Sequence, residues 1–188
     1  MLKHQPERVV MIDIDEEFVR AAEIHLPSLS DGAFQDSRVE LIFEDASEAL
    51  KRYRQEFDVA IIDCNDAIGP SEILFEEDFY ATVAASFKED GVCSVQAGSM
   101  LETEFLVQTR ERIEMQLGET ASFRFTMPSY HCGEYLFYVA SQNGVSAGPP
   151  SETLEARQTE RKVVTSYWSA EMHHASQVFP ADSPLKSR

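Results

Sequence analysis

Two aspartates stand three residues apart after an apolar run, and this spacing lets both carboxylates converge on one cation. Asp63 directly follows the apolar run 57–62, and Asp66 lies in a polar loop that Gly69 and Pro70 constrain. The same residues could instead form an Asx-turn and a helix cap, with no ligand. Because the loop is long and polar, yet is followed at once by an apolar helix start, we favour the cation site.

Acidic residues also follow the two earlier apolar runs of the chain. Asp13 and Asp15 follow the first run, and Glu44 and Asp45 follow the second. In an open parallel sheet, ligands bind at the carboxyl ends of the strands, where a carboxylate can accept hydrogen bonds from ribose hydroxyls or from the adenine amine. The alternative is that each acid only caps the helix that follows it. Three consecutive strands that end in acids favour a nucleoside site.

Alternating strands and helices must position these acids. The apolar patterns predict strands at 9–15, 39–43, 57–62, 91–96, 122–127 and 135–141, and helices at 16–26, 46–54, 76–87, 102–117 and 152–169. Such alternation predicts an α/β fold with a parallel sheet, and the final strand pair predicts an antiparallel edge. We assign 1–142 to a catalytic domain and 143–188 to a linker, a C-terminal helix and a tail.

The charge balance argues against nucleic acid as a partner. The chain has 188 residues, of which 33 are acidic and 16 basic, so its formal net charge is −17. This charge repels phosphate backbones. It also suits cationic ligands, but we favour the alternative that the acidic surface only keeps the protein in solution. No apolar run approaches the ~20 residues that a membrane-spanning helix needs. We therefore expect a protein that binds neither nucleic acid nor membranes.

The cysteines and histidines give no metal motif. Cys64, Cys93 and Cys132 cannot all pair within one chain and show no Cys-x-x-Cys spacing, which predicts reduced thiols in the cytoplasm. The adjacent His173 and His174 lie in the tail. We expect them to be exposed to solvent and predict no metal site.

Residues 63–75 carry the most specific pattern in the chain. They read Asp-Cys-Asn-Asp-Ala-Ile-Gly-Pro-Ser-Glu-Ile-Leu-Phe. This resembles the Asp-Ser-x-Asp-Pro-x-Gly-Pro-Ala-x-x-Leu-Phe loop of the spermidine synthases, the polyamine aminopropyltransferases. Residues 9–17 resemble the Val-Val-x-x-Glu-Ile-Asp-Glu strand of that family, and 128–133 resemble its Pro-Thr-Tyr-Pro-Ser-Gly segment, with His131 and Cys132 in place of Pro-Ser. The resemblance covers about residues 2–142 in the family's order.

This resemblance implies a Rossmann-like fold of the class I methyltransferase type whose first strand is missing here. The family has an N-terminal β-domain and a first strand with a glycine-rich loop before the position of Leu2, and that strand lies between those ending at Asp13 and Asp63. Without it, these two strands must either pair directly or leave the sheet split. We interpret Met1 as an internal methionine of a longer sequence and expect little or no catalysis from the chain alone.

The resemblance also implies nucleoside-binding residues. Asp13 stands where the family has an acid that binds the ribose of the donor. Asp45 stands where an aspartate binds the adenine amino group, and Ala46 replaces the glycine that normally follows. The implied donor is decarboxylated S-adenosylmethionine, which is a co-substrate, and no permanently bound cofactor is expected.

For the amine, the resemblance implies Asp63 as the proton acceptor, Asp66 as a second ligand and Tyr130 as an orienting hydroxyl. The reaction would transfer an aminopropyl group to putrescine or a similar polyamine and release methylthioadenosine. An aliphatic ammonium has a pKa near 10.4, so the acceptor arrives protonated and must lose a proton before it can attack. Because family members commonly form oligomers, a homo-oligomer is compatible with this interpretation.

Two alternatives remain open. A short relative of this family could be a non-catalytic subunit that binds polyamines or associates with a full-length aminopropyltransferase. A methyltransferase that uses S-adenosylmethionine would explain the acids after the first two strands equally well. It would not explain residues 63–75 or 128–133.

Overall fold

The protein is described by a computed structural model that covers residues 1–130, 133–144 and 148–187. His131 and Cys132, which differ from the family pattern, lie outside the described residues. None of the described helices is long and apolar enough to cross a membrane.

The described strands form two separate sheets. Strands β1 (Val9–Ile12) and β2 (Val39–Ile42) pair in parallel. Strands β3 (Phe57–Ile62), β4 (Phe87–Ser99), β5 (Thr120–Thr126) and β6 (Glu134–Ser141) form a second sheet in the order β3-β4-β6-β5. The β3–β4 pair is parallel, whereas β4–β6 and β5–β6 are antiparallel. The predicted α/β sheet with parallel strands and an antiparallel edge is confirmed.

The sheet is split between β1 and β3. The sequence analysis allowed either this arrangement or direct pairing of the two strands. Neither strand is a hydrogen-bonded neighbour of the other, and each pairs with one partner among the strands that the structure describes. Their amino-terminal ends are nevertheless linked, because Arg8 Nη1 lies 3.5 Å from Glu56 Oε2. Arg8 directly precedes β1 and Glu56 directly precedes β3.

Helices connect the strands. They are α1 (Glu16–His25), α2 (Pro27–Ser30), α3 (Ala46–Ala49), α4 (Glu77–Ser86), α5 (Thr103–Leu117), α6 (Ser151–Glu160) and α7 (Ala170–Ala175). The start of α1 is fixed by Asp15, whose side chain accepts a hydrogen bond from the Phe18 N–H. Within α4, Phe79, Tyr80 and Val83 recur at helical spacing and are buried, so this apolar face anchors the helix in the core.

The core lies on one face of the larger sheet. Cys93, Val95 and Ala97 alternate along β4 and are buried in the same hydrophobic cluster as the apolar faces of α4 and α5. The cluster also contains Phe179 and Leu185 from the C-terminal tail. The tail is further tied to the sheet edge, since the Arg124 N–H of β5 donates to the Ser176 carbonyl over 2.8 Å.

Two sequence-based expectations about the C-terminal segment are wrong. The helix predicted at 152–169 ends at Glu160, because it buries no residue and Lys162 adopts a left-handed φ of 53°. His173 and His174 are half-buried rather than exposed. The His173 ring packs 5.2 Å from the Phe123 ring, which ties this part of the tail to β5.

Candidate active site

The acidic loop after β3 is fixed by its own hydrogen bonds. The Ser71 hydroxyl donates to the Asp66 carbonyl over 2.6 Å, and the Ile68 N–H donates to the same oxygen. The Glu72 carboxylate accepts from the Gly69 N–H over 3.0 Å. These bonds use backbone groups of Asp66 and leave its carboxylate exposed, so the loop can present this charge to a ligand.

Cys64 lies between the two aspartates in the acidic loop. Its thiol is half-buried, and burial raises its pKa to about 11, with further contributions from the negative charges of Asp63 and Asp66. Both carboxylates are therefore close enough to one sulfur atom to disfavour a thiolate there.

Asp66 also lines a cavity of about 570 Å³ between the acidic loop and the start of α5. Glu102 and Glu104 add two more carboxylates to its wall, and Ile68 and Phe105 add apolar surface. The remaining lining residues are Ala67, Leu101, Thr103 and Gln108. Carboxylates and apolar surface together suit a ligand with cationic ends and a methylene chain.

Asp63 and Tyr130 do not line this cavity. Asp63 is exposed at the carboxyl end of β3. Tyr130 is 51% exposed, and its ring packs 5.0 Å from the ring of Tyr135. The structure therefore brings Asp66 and the helix α5 acids together, and it leaves Tyr130 on the turn between β5 and β6.

Asp13 and Asp45 both accept hydrogen bonds from nearby backbone N–H groups, and Asp45 caps α3. One Asp13 carboxylate oxygen accepts from the Asp15 N–H over 2.9 Å, and one Asp45 oxygen accepts from the Ser47 N–H over 2.8 Å. Hydrogen bonds from Ser47 hold the pKa of Asp45 below its ordinary value, so this carboxylate stays charged at neutral pH. The capping alternative is therefore correct for Asp45. A carboxylate can accept more hydrogen bonds than the cap requires, so Asp45 can cap the helix and also accept a hydrogen bond from a ligand.

Asp13 and Asp45 share the carboxyl edge of the smaller sheet. The Asp13 N–H donates to the Ile42 carbonyl over 3.0 Å, which places Asp13 beside the end of β2. Ala46 begins α3, is half-buried and packs against the core cluster. None of these three residues lines the cavity that contains Asp66. The residues that the resemblance assigns to the nucleoside and those that it assigns to the amine therefore follow strands of two different sheets.

Glu102 and Glu104 are residues that the sequence analysis did not single out. The helix start at 102 was predicted, and helix starts after parallel strands lie at the same edge as Asp63. Glu102 Oε2 is 4.0 Å from the position that a Cβ on Gly98 would occupy, so this carboxylate lies over the end of β4. The signal that could have found them is the acid pair directly after the fourth strand.

No metal site is visible in the described part of the chain. None of its histidine, cysteine, aspartate and glutamate side chains form a group of three or more that could hold a metal ion. The free thiols of Cys64 and Cys93 are unpaired in this part of the structure.

Comparisons with known proteins agree on one family. The sequence model of the spermine/spermidine synthase domain matches residues 1–148. The chain is 32% identical to a polyamine aminopropyltransferase of Ruegeria sp. (strain TM1040), covering 96% of this chain and 64% of that protein. It is 31% identical to the polyamine aminopropyltransferase of Sodalis glossinidius over 93% of this chain and 61% of the relative. It thus spans about three fifths of the length of these curated relatives.

Solved structures of spermidine synthases have the same fold. A spermidine synthase in complex with the transition state analogue AdoDATO superposes with a TM-score of 0.86 at 28% identity, over 95% of this chain and 61% of that one. The spermidine synthase of Thermotoga maritima superposes with a TM-score of 0.83, also at 28% identity, over 95% and 60% of the two chains.

Proposed function

The chain belongs to the spermine/spermidine synthase family, and from this premise we propose that it supplies the amine-binding part of a polyamine aminopropyltransferase. The complete enzyme would transfer the aminopropyl group of decarboxylated S-adenosylmethionine to putrescine or a similar polyamine. Methylthioadenosine would leave, and no cofactor would stay bound. This assignment is supported by relatives that are named polyamine aminopropyltransferases.

The observation that carries the proposal is the acidic cavity beside the loop 63–75. Asp66 contributes charge from the loop, and Glu102 contributes charge from the start of α5. A protonated diamine has charges at both ends and an apolar middle, and Ile68 and Phe105 provide apolar surface for that middle. A volume of about 570 Å³ is within the ~300–1,000 Å³ of small-molecule sites.

In the proposed reaction, the neutral amine nitrogen attacks the carbon that is bonded to the sulfonium sulfur. The carbon–sulfur bond breaks, and its electron pair neutralises the sulfonium, so the leaving group needs no proton. The nitrogen must lose a proton, and we assign its acceptance to Asp63. Asp66 would hold the ammonium form before the transfer, and Tyr130 would orient it. Water must be excluded from this exposed loop during the reaction, because the contacts between the carboxylates and the ammonium are stronger without water.

We assign the donor to the other sheet. Asp13 would accept hydrogen bonds from the ribose hydroxyls, and Asp45 would accept one from the adenine amino group, with the backbone of Ala46 alongside. The spermidine synthase that superposes on this chain was solved with AdoDATO, which supports a nucleoside-type donor in this fold. We place the reaction in the cytoplasm, in keeping with the unpaired thiols of Cys64 and Cys93. The proposed enzyme forms a homo-oligomer.

The proposal can be tested in a chimeric enzyme. Residues 1–188 would be joined to the part of the Ruegeria aminopropyltransferase that this chain does not cover. Release of methylthioadenosine from decarboxylated S-adenosylmethionine and putrescine would then be measured. We expect Asp63→Asn to reduce kcat by at least about a hundredfold, within the ~10²–10⁴-fold range of general base catalysis, while putrescine binding survives.

Asp58→Asn is the matched control. Asp58 is also an exposed aspartate of β3, but it lies near the opposite end and pairs with Lys88 over 2.8 Å. This variant should keep its activity. Unchanged turnover in the Asp63→Asn enzyme would refute the assigned role. Methylated product from S-adenosylmethionine, without methylthioadenosine, would instead identify a methyltransferase.

A further inference from the structure

The far end of the acidic loop is anchored by one buried side chain. Phe75 is only 1% exposed, whereas every residue from 63 to 74 is half-buried or exposed. The centroid of its ring lies 5.4 Å from that of Phe105, and Phe105 lines the cavity that contains Asp66. The position of Phe75 therefore affects both the course of the loop and one wall of the cavity.

Arg112 of α5 holds the backbone at this point. Its Nη1 donates a hydrogen bond to the Phe75 carbonyl over 3.0 Å and lies 3.6 Å from Glu76 Oε1. Hydrogen bonds from a charged donor are roughly twice as strong as those between neutral groups. The Arg112 side chain is half-buried, so water competes with these contacts only in part. Arg112 thus ties the end of the loop to the helix whose start forms the opposite wall of the cavity.

A role in stabilising α4 explains this contact less well. Glu76 is the N-cap of α4, so Arg112 lies at the amino end of that helix, where the helix dipole disfavours a cation. The first turn of α4 is already tied to α5, because Gln116 Nε2 donates to Glu77 Oε1 over 2.8 Å. The Phe75 carbonyl precedes α4, so the hydrogen bond from Arg112 fixes the loop rather than the helix.

We propose that Arg112 is a positioning residue for the amine, because it fixes the end of the acidic loop against α5 and so sets the width of the cavity between Asp66 and Glu102. This inference rests on the proposed function, since it concerns the same cavity. Arg112 does not line the cavity and acts through Phe75 and Phe105, which pack against each other. A displaced loop end would change the separation of the two carboxylates that bind the diamine.

The charge of Arg112 allows its positioning role to be separated from simple electrostatics. A cation repels a protonated diamine, so removal of the Arg112 charge should by itself strengthen diamine binding. Loss of the fixed loop should weaken binding instead, because the carboxylates would no longer be held at the spacing of the two ammonium groups before the ligand arrives. The two explanations therefore predict opposite effects of the same substitution.

The first measurement follows the loop without any ligand. Hydrogen–deuterium exchange would be compared between the unaltered chain and Arg112→Met, which keeps an unbranched apolar side chain but cannot donate a hydrogen bond. Exchange in residues 64–75 should be at least about tenfold faster in the variant, because exchange there reports local opening, whereas β4 and β6 should not change. Arg112→Lys keeps the charge and a donor, so it should restore part of the protection.

The second measurement is diamine binding, followed by isothermal titration of the chain with putrescine. Arg112→Met should bind at least about tenfold more weakly than the unaltered chain, and Arg112→Lys should lie between the two. Arg157→Met is the matched control, because Arg157 is exposed on α6 and its substitution removes the same charge. This control should bind putrescine at least as tightly as the unaltered chain.

The chimeric enzyme distinguishes positioning of the amine from a general loss of structure. Arg112→Met should raise the KM for putrescine and leave the KM for decarboxylated S-adenosylmethionine unchanged, because the proposed donor residues follow strands of the other sheet. A general loss of structure would raise both KM values. Melting temperatures would show whether the variants are folded.

Three outcomes would overturn the proposal. One is unchanged exchange of residues 64–75 in Arg112→Met, which would show that Arg112 does not hold the loop. Another is putrescine binding in this variant that equals or exceeds that of the unaltered chain, as the charge alone predicts. A third is faster exchange throughout β4 and β6 as well, which would reduce Arg112 to a general structural role. If the unaltered chain and the chimera both bound no diamine, the proposed function would fail as well, and the exchange result alone would decide whether Arg112 anchors the loop.

Discussion

Cys64 can report on the two aspartates of the acidic loop without any substrate. Its thiol is half-buried, and its pKa is raised to about 11 from an ordinary value of 9.0. Burial is the largest cause, and the charges of Asp63 and Asp66 act in the same direction. Because only the thiolate reacts with alkylating agents, the alkylation rate of Cys64 measures the electrostatic field at this point of the loop.

The expected magnitude follows from these pKa values. At pH 8, a thiol with a pKa of 9.0 is about one-tenth thiolate, whereas one with a pKa of about 11 is about one-thousandth thiolate. A thiolate with a higher pKa is intrinsically more nucleophilic, which raises its reactivity by up to about tenfold. This offsets part of the hundredfold decrease in the thiolate fraction. Cys64 should therefore react about tenfold more slowly than a free cysteine peptide. Its rate should keep rising about tenfold per pH unit between pH 8 and pH 10.

The assay is alkylation with iodoacetamide, followed by peptide-resolved mass spectrometry. The reagent is neutral, so the acidic loop neither attracts nor repels it, and peptide resolution separates Cys64 from Cys93. Asp63→Asn and Asp66→Asn each remove one negative charge. Each should raise the rate at Cys64, and Asp63→Asn should raise it more, because the charge of Asp63 contributes more to the raised pKa than that of Asp66. Asp58→Asn should leave it unchanged, because Asp58 does not contribute to the pKa of Cys64.

Two results would refute this reasoning. A rate that reaches a plateau near pH 9 would show that the thiol has an ordinary pKa and is not held in the field of the loop. Unchanged rates in both Asp63→Asn and Asp66→Asn would show that the two carboxylates do not converge on this point. The assignment of Asp63 and Asp66 to the same amine would then be wrong.

Three further predictions concern the core, the cavity and alkaline pH. Leu185→Ala should lower the free energy of unfolding by about 2–5 kcal/mol in urea titrations, because Leu185 is only 2% exposed; Val164→Ala, at a site that is 82% exposed, should change it by less than about 0.5 kcal/mol. In the chimeric enzyme, Glu102→Gln should raise the KM for putrescine about tenfold at unchanged kcat, as expected for loss of about 1.4 kcal/mol of uniform binding, whereas Glu111→Gln on the same helix should not. Burial raises the pKa of Cys93 to about 12, so its neutral thiol stabilises the fold fully below pH 9, and this contribution declines as the pH rises toward 12. The melting temperature should therefore fall between pH 8.5 and 10.5, and should fall less in Cys93→Ala.

Local patterns in the sequence predict β3 and the acid that follows it, whereas β1 ends at Ile12 rather than at 15 and β4 spans Phe87–Ser99 rather than 91–96. The run 57–62 and β3 coincide, and Asp63 follows it as expected. The helix predicted at 16–26 matches α1 to within one residue, because Asp15 caps its start and Pro27 follows its end. Each of these features depends on residues that are neighbours along the chain, which is why sequence reasoning finds them.

The C-terminal segment shows where such reasoning fails. Phe179 and Leu185 join the core, yet the tail around them shows neither helical nor alternating periodicity of apolar residues. Helix α6 shows the reverse case, because the sequence predicts a helix to 169 whereas α6 ends at Glu160 and buries no residue that could hold a longer helix in place. Tertiary contacts decide both cases, and they involve residues far apart in sequence.

The candidate site also combines features that neighbouring residues determine with features that tertiary contacts determine. Sequence patterns place Asp13, Asp45 and Asp63 at the carboxyl edge, but the distance between any two of them is set by which strands are neighbours. Here Asp13 and Asp63 belong to separate sheets, so no strand ladder fixes their separation. An in-line displacement can lose about a hundredfold in rate when its groups are misplaced by about 1 Å. Amine binding, by contrast, needs only the acidic loop and the start of α5, which pack on one sheet. We therefore expect the chain to retain amine binding under conditions where it shows almost no transfer, and isothermal titration with putrescine beside a methylthioadenosine assay would separate the two.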